Sequence, residues 1–301
     1  MACLSLSLTA LCWLATGTQA ESSPPFRIGF SAKNFTDVNE NDAVAALRVW
    51  AQTFARDRGI PADPRAIIFR NVDEIAAALT NKTVDCISIT TDEYIVLSGQ
   101  LVADRIVIGV VSDSITVEYV LLVHRDSGIE RLSDLRGLTL GQWESSYAAL
   151  ASTWLGTILV QEDLAPSAGF FAKITATPKI TKAVLPVFFR QAHACLVTRN
   201  GFETMVDLNP QIGQQLKVLA SSPPLIPVVF CFRSDYSSPL QQKIMNEITS
   251  WHLSPAGRQI LTIFHTDRLE EHPVEVLDGT LQLLATNQRL AAATAGPPRR
   301  K

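Results

Sequence analysis

A chain of 301 residues is long enough for two packed lobes or for one large α/β domain. Its formal charge of −3, with no basic stripe outside the terminal Arg299, Arg300 and Lys301, excludes a general nucleic-acid binder. A composition of 47% hydrophobic and 18% charged residues excludes a chain that is mainly disordered.

Residues 1–20 carry no charged side chain, and Leu4 to Ala15 form an apolar core followed by small residues up to Ala20. This pattern reads as a secretory signal peptide cleaved after Ala20, which would deliver the protein to the periplasm. The run is short for a membrane span, but the customary Lys or Arg near its start is missing, so retention as an N-terminal anchor stays open. No later apolar run approaches the length of a span, and the mature chain is expected to be soluble. Cys3 and Cys12 would leave with the signal. Cys86, Cys195 and Cys231 each lie in an apolar, strand-like run and read as buried thiols, and whether two of them pair stays open. Without CxxC, HExxH or any clustered ligand spacing, no metal site and no cofactor is expected.

After the linker Glu21 to Pro25, FRIGFSA reads as a first strand running into the polar loop Lys33 to Asp42. A helix follows with Val44, Leu47, Trp50 and Phe54 on one side, broken by Gly59, Pro61 and Pro64. AIIFR is a second strand, Val72 to Thr80 a helix, and DCISIT a third strand ending at Thr91, Asp92, Glu93 and Tyr94. Strand and helix alternating over short connections imply a parallel sheet with right-handed crossovers, whose ligands bind beyond the C-terminal strand ends. Ser31, Asn34, Thr90, Thr91 and Tyr94 are therefore candidate ligand residues. Ordinary turn and cap chemistry is the competing account of them.

RIVIGVVS and EYVLLVHR read as two further strands that extend this sheet and then carry the chain out of it. From Ser127 the same grammar restarts, through LTLGQW, FFAKITA, a helix from Ile180 to Phe189 and the strand ACLVT, whose end makes Thr198 a further candidate ligand residue. Pro223, Pro224 and Pro227 stiffen a second passage between the lobes, as a clamshell needs. Helices at 239–251 and 255–264 are expected to pack on the first lobe. The domains expected are thus a signal at 1–20, a first lobe at 26–125 plus 223–280, a second lobe at 126–222 and a partly disordered tail at 281–301.

The stretch 138–160 combines a strand, a polar turn and an amphipathic helix. Tyr147, Leu150, Ala151, Trp154, Leu155, Ile158 and Leu159 fall on one helical face, which puts Ser145 and Ser146 at the helix start. Two hydroxyls beside unpaired, partly positive N–H groups make a compact donor cluster for an oxyanion, unless Ser145 serves only as an N-cap.

At 183–216, AVLPVFFRQAHACLVTRNGFETMVDLNPQIGQQL, the chain resembles the phosphate/phosphite/phosphonate (PhnD-like) periplasmic substrate-binding proteins of ABC transporters. GFSAKNFTDVNENDA, SITTDEY and LSPAGRQILTIFHTDRL share in it, so the resemblance spans roughly Phe26 to Leu269. It implies a two-lobed type II binding fold, each lobe a mostly parallel sheet flanked by helices, joined by two hinge crossings. It implies an anionic head group held at Ser145, Ser146 and Tyr147, with Tyr94 where an aromatic closes over the ligand. Two positions depart from the pattern. Glu144 would repel an anion if it pointed inward, and His193 stands where relatives often carry Asp, against an aminophosphonate ligand.

The function these readings imply is a monomeric extracytoplasmic solute-binding protein that closes on a small oxyanion, with phosphonate, phosphite or phosphate ahead of sulfonate. Its partner would be an ABC permease, with the periplasmic domain of a sensor kinase as the alternative reader of closure. An enzyme on the same fold would need a nucleophile with a nearby base, and neither the cysteines, the histidines nor the serines stand in such a motif.

Overall fold

The structure is a computed structural model and describes residues 24–36, 39–65 and 67–295. The expected signal peptide and the last six residues lie outside the described residues. The first half of the chain folds as β1 (Ile28–Ser31), α1 (Glu40–Arg58), β2 (Ile67–Phe69), α2 (Val72–Thr80), β3 (Cys86–Thr90), α3 (Thr91–Leu97), β4 (Arg105–Val110) and β5 (Tyr119–His124). Next come β6 (Thr139–Trp143), α4 (Ala151–Gln161), α5 (Ser167–Phe170), β7 (Lys173–Thr177), α6 (Ile180–Phe188), β8 (Ala194–Thr198), α7 (Arg199–Leu208), α8 (Pro210–Gln215) and β9 (Leu216–Ser221). The chain then returns through β10 (Val228–Phe232), α9 (Gln241–Thr249), α10 (Pro255–Ile263), β11 (Arg268–Pro273) and α11 (Asp278–Ala295).

Two sheets result, one ordered β11-β4-β10-β3-β1-β2 and the other β7-β6-β8-β5-β9. The βαβ units supply the parallel pairs, β1 with β2 and β3, and β6 with β7 and β8. Both sheets are mixed rather than mostly parallel. Strands that arrive from the other lobe enter from the opposite direction, so β10 lies antiparallel to β3 and β4, and β5 lies antiparallel to β8 and β9. EYVLLVHR therefore does not extend the first sheet, as its sequence suggested, but forms an interior strand of the second, between β8 and β9. Its six buried residues would suit an interior strand of either sheet, so its pattern could not choose between them.

Each sheet is covered on both faces, which is why β3, β5 and β8 are buried at every position. One face of the first sheet packs Phe30, Phe35, Leu47, Phe230, Ile244, Trp251 and Leu261 together, and the other face packs Ile75, Leu79, Ile87, Ile89, Tyr94 and Leu97. Trp154, Leu155 and Leu159 of α4 cover one face of the second sheet, and Val184, Val187, Phe202 and Met205 cover the other. Local signals set the helix ends. Asn39 caps α1 by accepting from Asn41 N at 2.9 Å and Asp42 N at 3.2 Å, and Gly59 ends it at a φ of 61°.

The two crossings between lobes run side by side. Val117 and Leu225 exchange backbone hydrogen bonds of 2.7 and 2.9 Å. Within the first crossing Val111 and Ser114 pair across Ser112 and Asp113, both at positive φ, which makes a tight two-residue turn. The segment expected to be a loose tail is the third link. The turn Val274–Leu277 buries Leu277 in the first lobe, and helix α11 then packs Leu281 against the first lobe and Leu283 and Leu284 against the second. Asn287 then donates to Thr157 Oγ1 of α4 at 3.1 Å.

Candidate ligand site

The C-terminal ends of β1 and β6 each continue into a 3₁₀ turn, Ala32–Phe35 and Ser146–Ala148, and these turns touch across the lobe boundary. The amphipathic helix expected to open at Ser145 starts six residues later, at Ala151, because the residues between are wound into this tighter turn. Ser145 caps the 3₁₀ turn rather than the helix, Oγ accepting from Tyr147 N at 3.3 Å, and Leu150 stands at the start of α4. Tyr119 Oη, deep in the second lobe, holds the turn by donating to the Tyr147 carbonyl at 2.8 Å. Burial pushes the Tyr119 phenol well up, so it stays a neutral donor.

In the first lobe most of the expected polar residues are occupied. Ser31 Oγ donates to Glu93 Oε1 at 2.9 Å, and Thr90 N and Oγ1 donate to Glu93 Oε2 at 3.1 and 3.0 Å. Glu93 is 4% exposed, and Lys33 Nζ lies 3.5 Å from it and 2.8 Å from Asp92. Burial opposes the charge of Lys33, but Asp92 and Glu93 outweigh it and hold the ammonium pKa above its usual range. A buried carboxylate anchored by two hydroxyls and a cation is a structural pin. Its signal was in the sequence, as the capping pattern Thr90-x-x-Glu93. Thr91 is likewise spent, Oγ1 donating to the Ile226 carbonyl of the second crossing at 2.5 Å.

Asn34 differs. It lines a cavity of about 70 Å³ together with Phe30, Ser88, Gly109, Phe230, Leu261, Phe264 and Thr266 of the first lobe and Ser146 and Tyr147 of the second. Nδ2 donates to the Ser88 carbonyl at 3.0 Å and to Ser88 Oγ at 2.9 Å. Ser88, Gly109 and Thr266 escaped the sequence reading, although Ser88 is the polar residue inside the apolar run CISIT and so carried a signal. Gly109 allows the close approach, since a Cβ there would stand 2.7 Å from Thr266 Oγ1 and 3.2 Å from Tyr147 Oη.

Tyr147 also borders a wider cleft between the lobes, lined by Ser112, Ser114, Thr116, Trp143, Thr198, Arg199, Asn200 and His265. Arg199 is held by Glu118 at 2.7 Å and by Ser221 at 2.8 Å, which offsets its charge at the cleft. Thr198 caps α7, accepting from Gly201 N at 3.3 Å.

Ser31, Thr90, Thr91 and Ser145 line neither the cavity nor the cleft, and two further expected ligand residues lie away from both. Tyr94 is 5% exposed and packs into the apolar face beneath the first sheet, because its helix turns that side of α3 toward Leu97 and Ile89. His193 precedes β8, and since β8 runs parallel to β6 it sits at the opposite end of the sheet from Ser145 and Thr198. There its Nδ1 lies 2.9 Å from Thr139 Oγ1.

Comparison with known proteins agrees with this architecture. A binding-protein component of an ABC phosphonate transporter from Pseudomonas aeruginosa superposes with a TM-score of 0.60 at 15% identity, over 89% of this chain and 88% of its own. A Xanthomonas citri protein bound to ATP gives 0.60 at 16% identity, over 89% and 98%. PhnD1 of Prochlorococcus marinus in complex with methylphosphonate gives 0.56 at 12% identity, over 88% and 98%. At these identities the likeness establishes the type II binding-protein fold. No curated protein matches the chain in sequence. The model of the family described as ABC transporter, phosphonate, periplasmic substrate-binding protein matches residues 35–273, and with that extent the chain belongs to this family.

Proposed function

We propose that this protein is an extracytoplasmic receptor whose lobes close on a small phosphonate-type oxyanion and present it to an ABC permease. The observation that carries the reading is the meeting of the Ser145-Ser146-Tyr147 turn of the second lobe with the Asn34 turn of the first, at the strand ends of both sheets. Hydroxyls and backbone N–H groups bind such a head group without a full counter-charge. Among the described residues the three thiols, Cys86, Cys195 and Cys231, are buried in strands, and we read the site as one that binds without making or breaking bonds. Helix α11 and the paired crossings would let the lobes rock while keeping their register.

The test is calorimetry with methylphosphonate, phosphite, phosphate and sulfate on the wild type and on the double variant Ser145→Ala/Ser146→Ala. One phosphorus oxyanion should bind, and the double variant should lose it while keeping the unliganded melting temperature. At 100 times its Kd that ligand should also add about 2.7 kcal/mol of stability to the wild type. A well-folded wild type that ignores the whole panel would sink the reading.

A further inference from the structure

Asn34 is 2% exposed, and its amide is satisfied on one side only. Both donors of Nδ2 face Ser88, one on a backbone carbonyl that can only accept, so the amide cannot be flipped. Oδ1 therefore points away from Ser88, and it is buried with no hydrogen-bond partner. Buried amide oxygens are seldom left so, because the lost hydration is not repaid. Ser88 itself is pinned in β3 between β1 and β10, which leaves the amide little room to turn toward another donor.

The surroundings narrow what could supply the missing hydrogen. Phe30 and Phe264 stack at 5.5 Å on the apolar side of the cavity, with Val107, Phe230 and Leu261 beside them. Among the described residues that line it, none carries a positive charge. A doubly charged head group would be poorly compensated there, and a fully ionised one would set an oxygen lone pair against Oδ1. An acidic hydroxyl on the ligand removes both costs at once. A phosphonate monoanion, R–P(OH)O₂⁻, retains such a hydroxyl near neutral pH, whereas a sulfonate, R–SO₃⁻, has none.

We propose that Asn34 is the specificity-determining residue of this site: Oδ1 accepts the P–OH of a singly protonated phosphonate whose short apolar substituent lies among Phe30, Phe230 and Phe264. This rests on the phosphonate-type reading above and adds to it the protonation state, the substituent and the residue that reads them.

Ethylphosphonate and ethanesulfonate share a shape and differ in that proton, so they are the probes, with inorganic phosphate as the partner lacking an apolar group. In calorimetry on the full protein, ethylphosphonate should bind roughly 10- to 100-fold more tightly than ethanesulfonate, the discrimination a buried unpaired acceptor enforces. It should also bind more tightly than phosphate. Asn34→Leu should erase the phosphonate preference by weakening ethylphosphonate while sparing ethanesulfonate. Should that variant fail to fold, pH on the wild type decides. Ethylphosphonate affinity should fall about tenfold per pH unit once pH exceeds the ligand's second ionisation, while ethanesulfonate affinity stays level. Equal affinity for the two probes, a preference that survives Asn34→Leu, or a flat pH profile for the phosphonate overturns the proposal and leaves the receptor reading standing. Failure of the wild type to bind any phosphorus oxyanion overturns both.

Discussion

Asp85, 4% exposed, holds two arginines from different parts of the first lobe. Arg27 reaches it through Nη2 at 2.8 Å and Nε at 3.1 Å, and Arg233, itself 7% exposed, through Nη1 at 3.2 Å. The hydrogen bond to Asp85 outweighs burial and holds the Arg27 guanidinium above its usual pKa. Asp85→Ala would strip the buried Arg233 guanidinium of one of its two carboxylate partners, Asp235 remaining, and would unpair Arg27, and the expected loss is about 1–3 kcal/mol in urea unfolding. Gly109→Ala tests the other packed residue. Thr266 Oγ1 is committed to the Val110 carbonyl at 2.9 Å, so it cannot swing freely from the new Cβ. A cost of about 1–3 kcal/mol is expected from this overpacking, and an unchanged urea midpoint would mean that Thr266 yields without penalty. Glycine in RIVIGVVS hints at a close approach, but which atoms approach is settled by β11 and by the turn from the other lobe.

At the scale of elements, α11 departs most from its sequence. Its Ala, Thr and Gln content and its terminal position suggest fraying, yet Leu284 is only 6% exposed against α4, and Thr280 Oγ1 accepts from Ile226 N at 2.9 Å. Docking depended on Thr153, Thr157 and the crossing presenting the matching surface, which no local pattern records. Leu284→Ala should cost about 2–5 kcal/mol, read as a lowered melting temperature. A change no larger than that of an exposed substitution would show that the helix contributes little to stability. The turn before α4 makes the same point in reverse. The apolar face from Leu150 to Leu159 was legible because it follows the helical period, and the 3₁₀ winding of Ser146–Ala148 was not, because contact with the other lobe's turn favours it.

For the whole molecule, ion pairs fix the acid side of its stability. Hydrogen bonds from Lys82, then Arg233, hold Asp235 at about 2. Asp92 is also lowered: burial opposes its charge, and Lys33 outweighs burial. Arg65 lowers Asp63, and Arg268 lowers Glu270. Each of these pKa values lies below its unfolded counterpart, so the stability they add is complete above the unfolded carboxylate range of about 4 and disappears as pH falls through the folded values. Urea midpoints should therefore hold between pH 7 and about 5 and decline from about 4 toward 2. A midpoint flat down to the lowest pH would show that these pairs add nothing to the folded state.

The sequence by itself determined the two alternating α/β units, the buried strands and helix faces, the proline-stiffened passage and the strand-end hydroxyls, because each is written in spacing that neighbouring residues enforce. Its resemblance to phosphonate-type binding proteins added the two-lobed fold, which the family match bears out. Only the tertiary structure decided that β5 belongs to the second sheet, that Glu93 occupies Ser31, that Tyr94 is core and His193 is at the far strand end, and that Asn34 keeps an acceptor open. Those outcomes depend on partners distant in the chain, 54 residues for Asn34 with Ser88 and 62 for Ser31 with Glu93, and hydrogen-bond capacity is assigned by whichever partner the fold brings within reach.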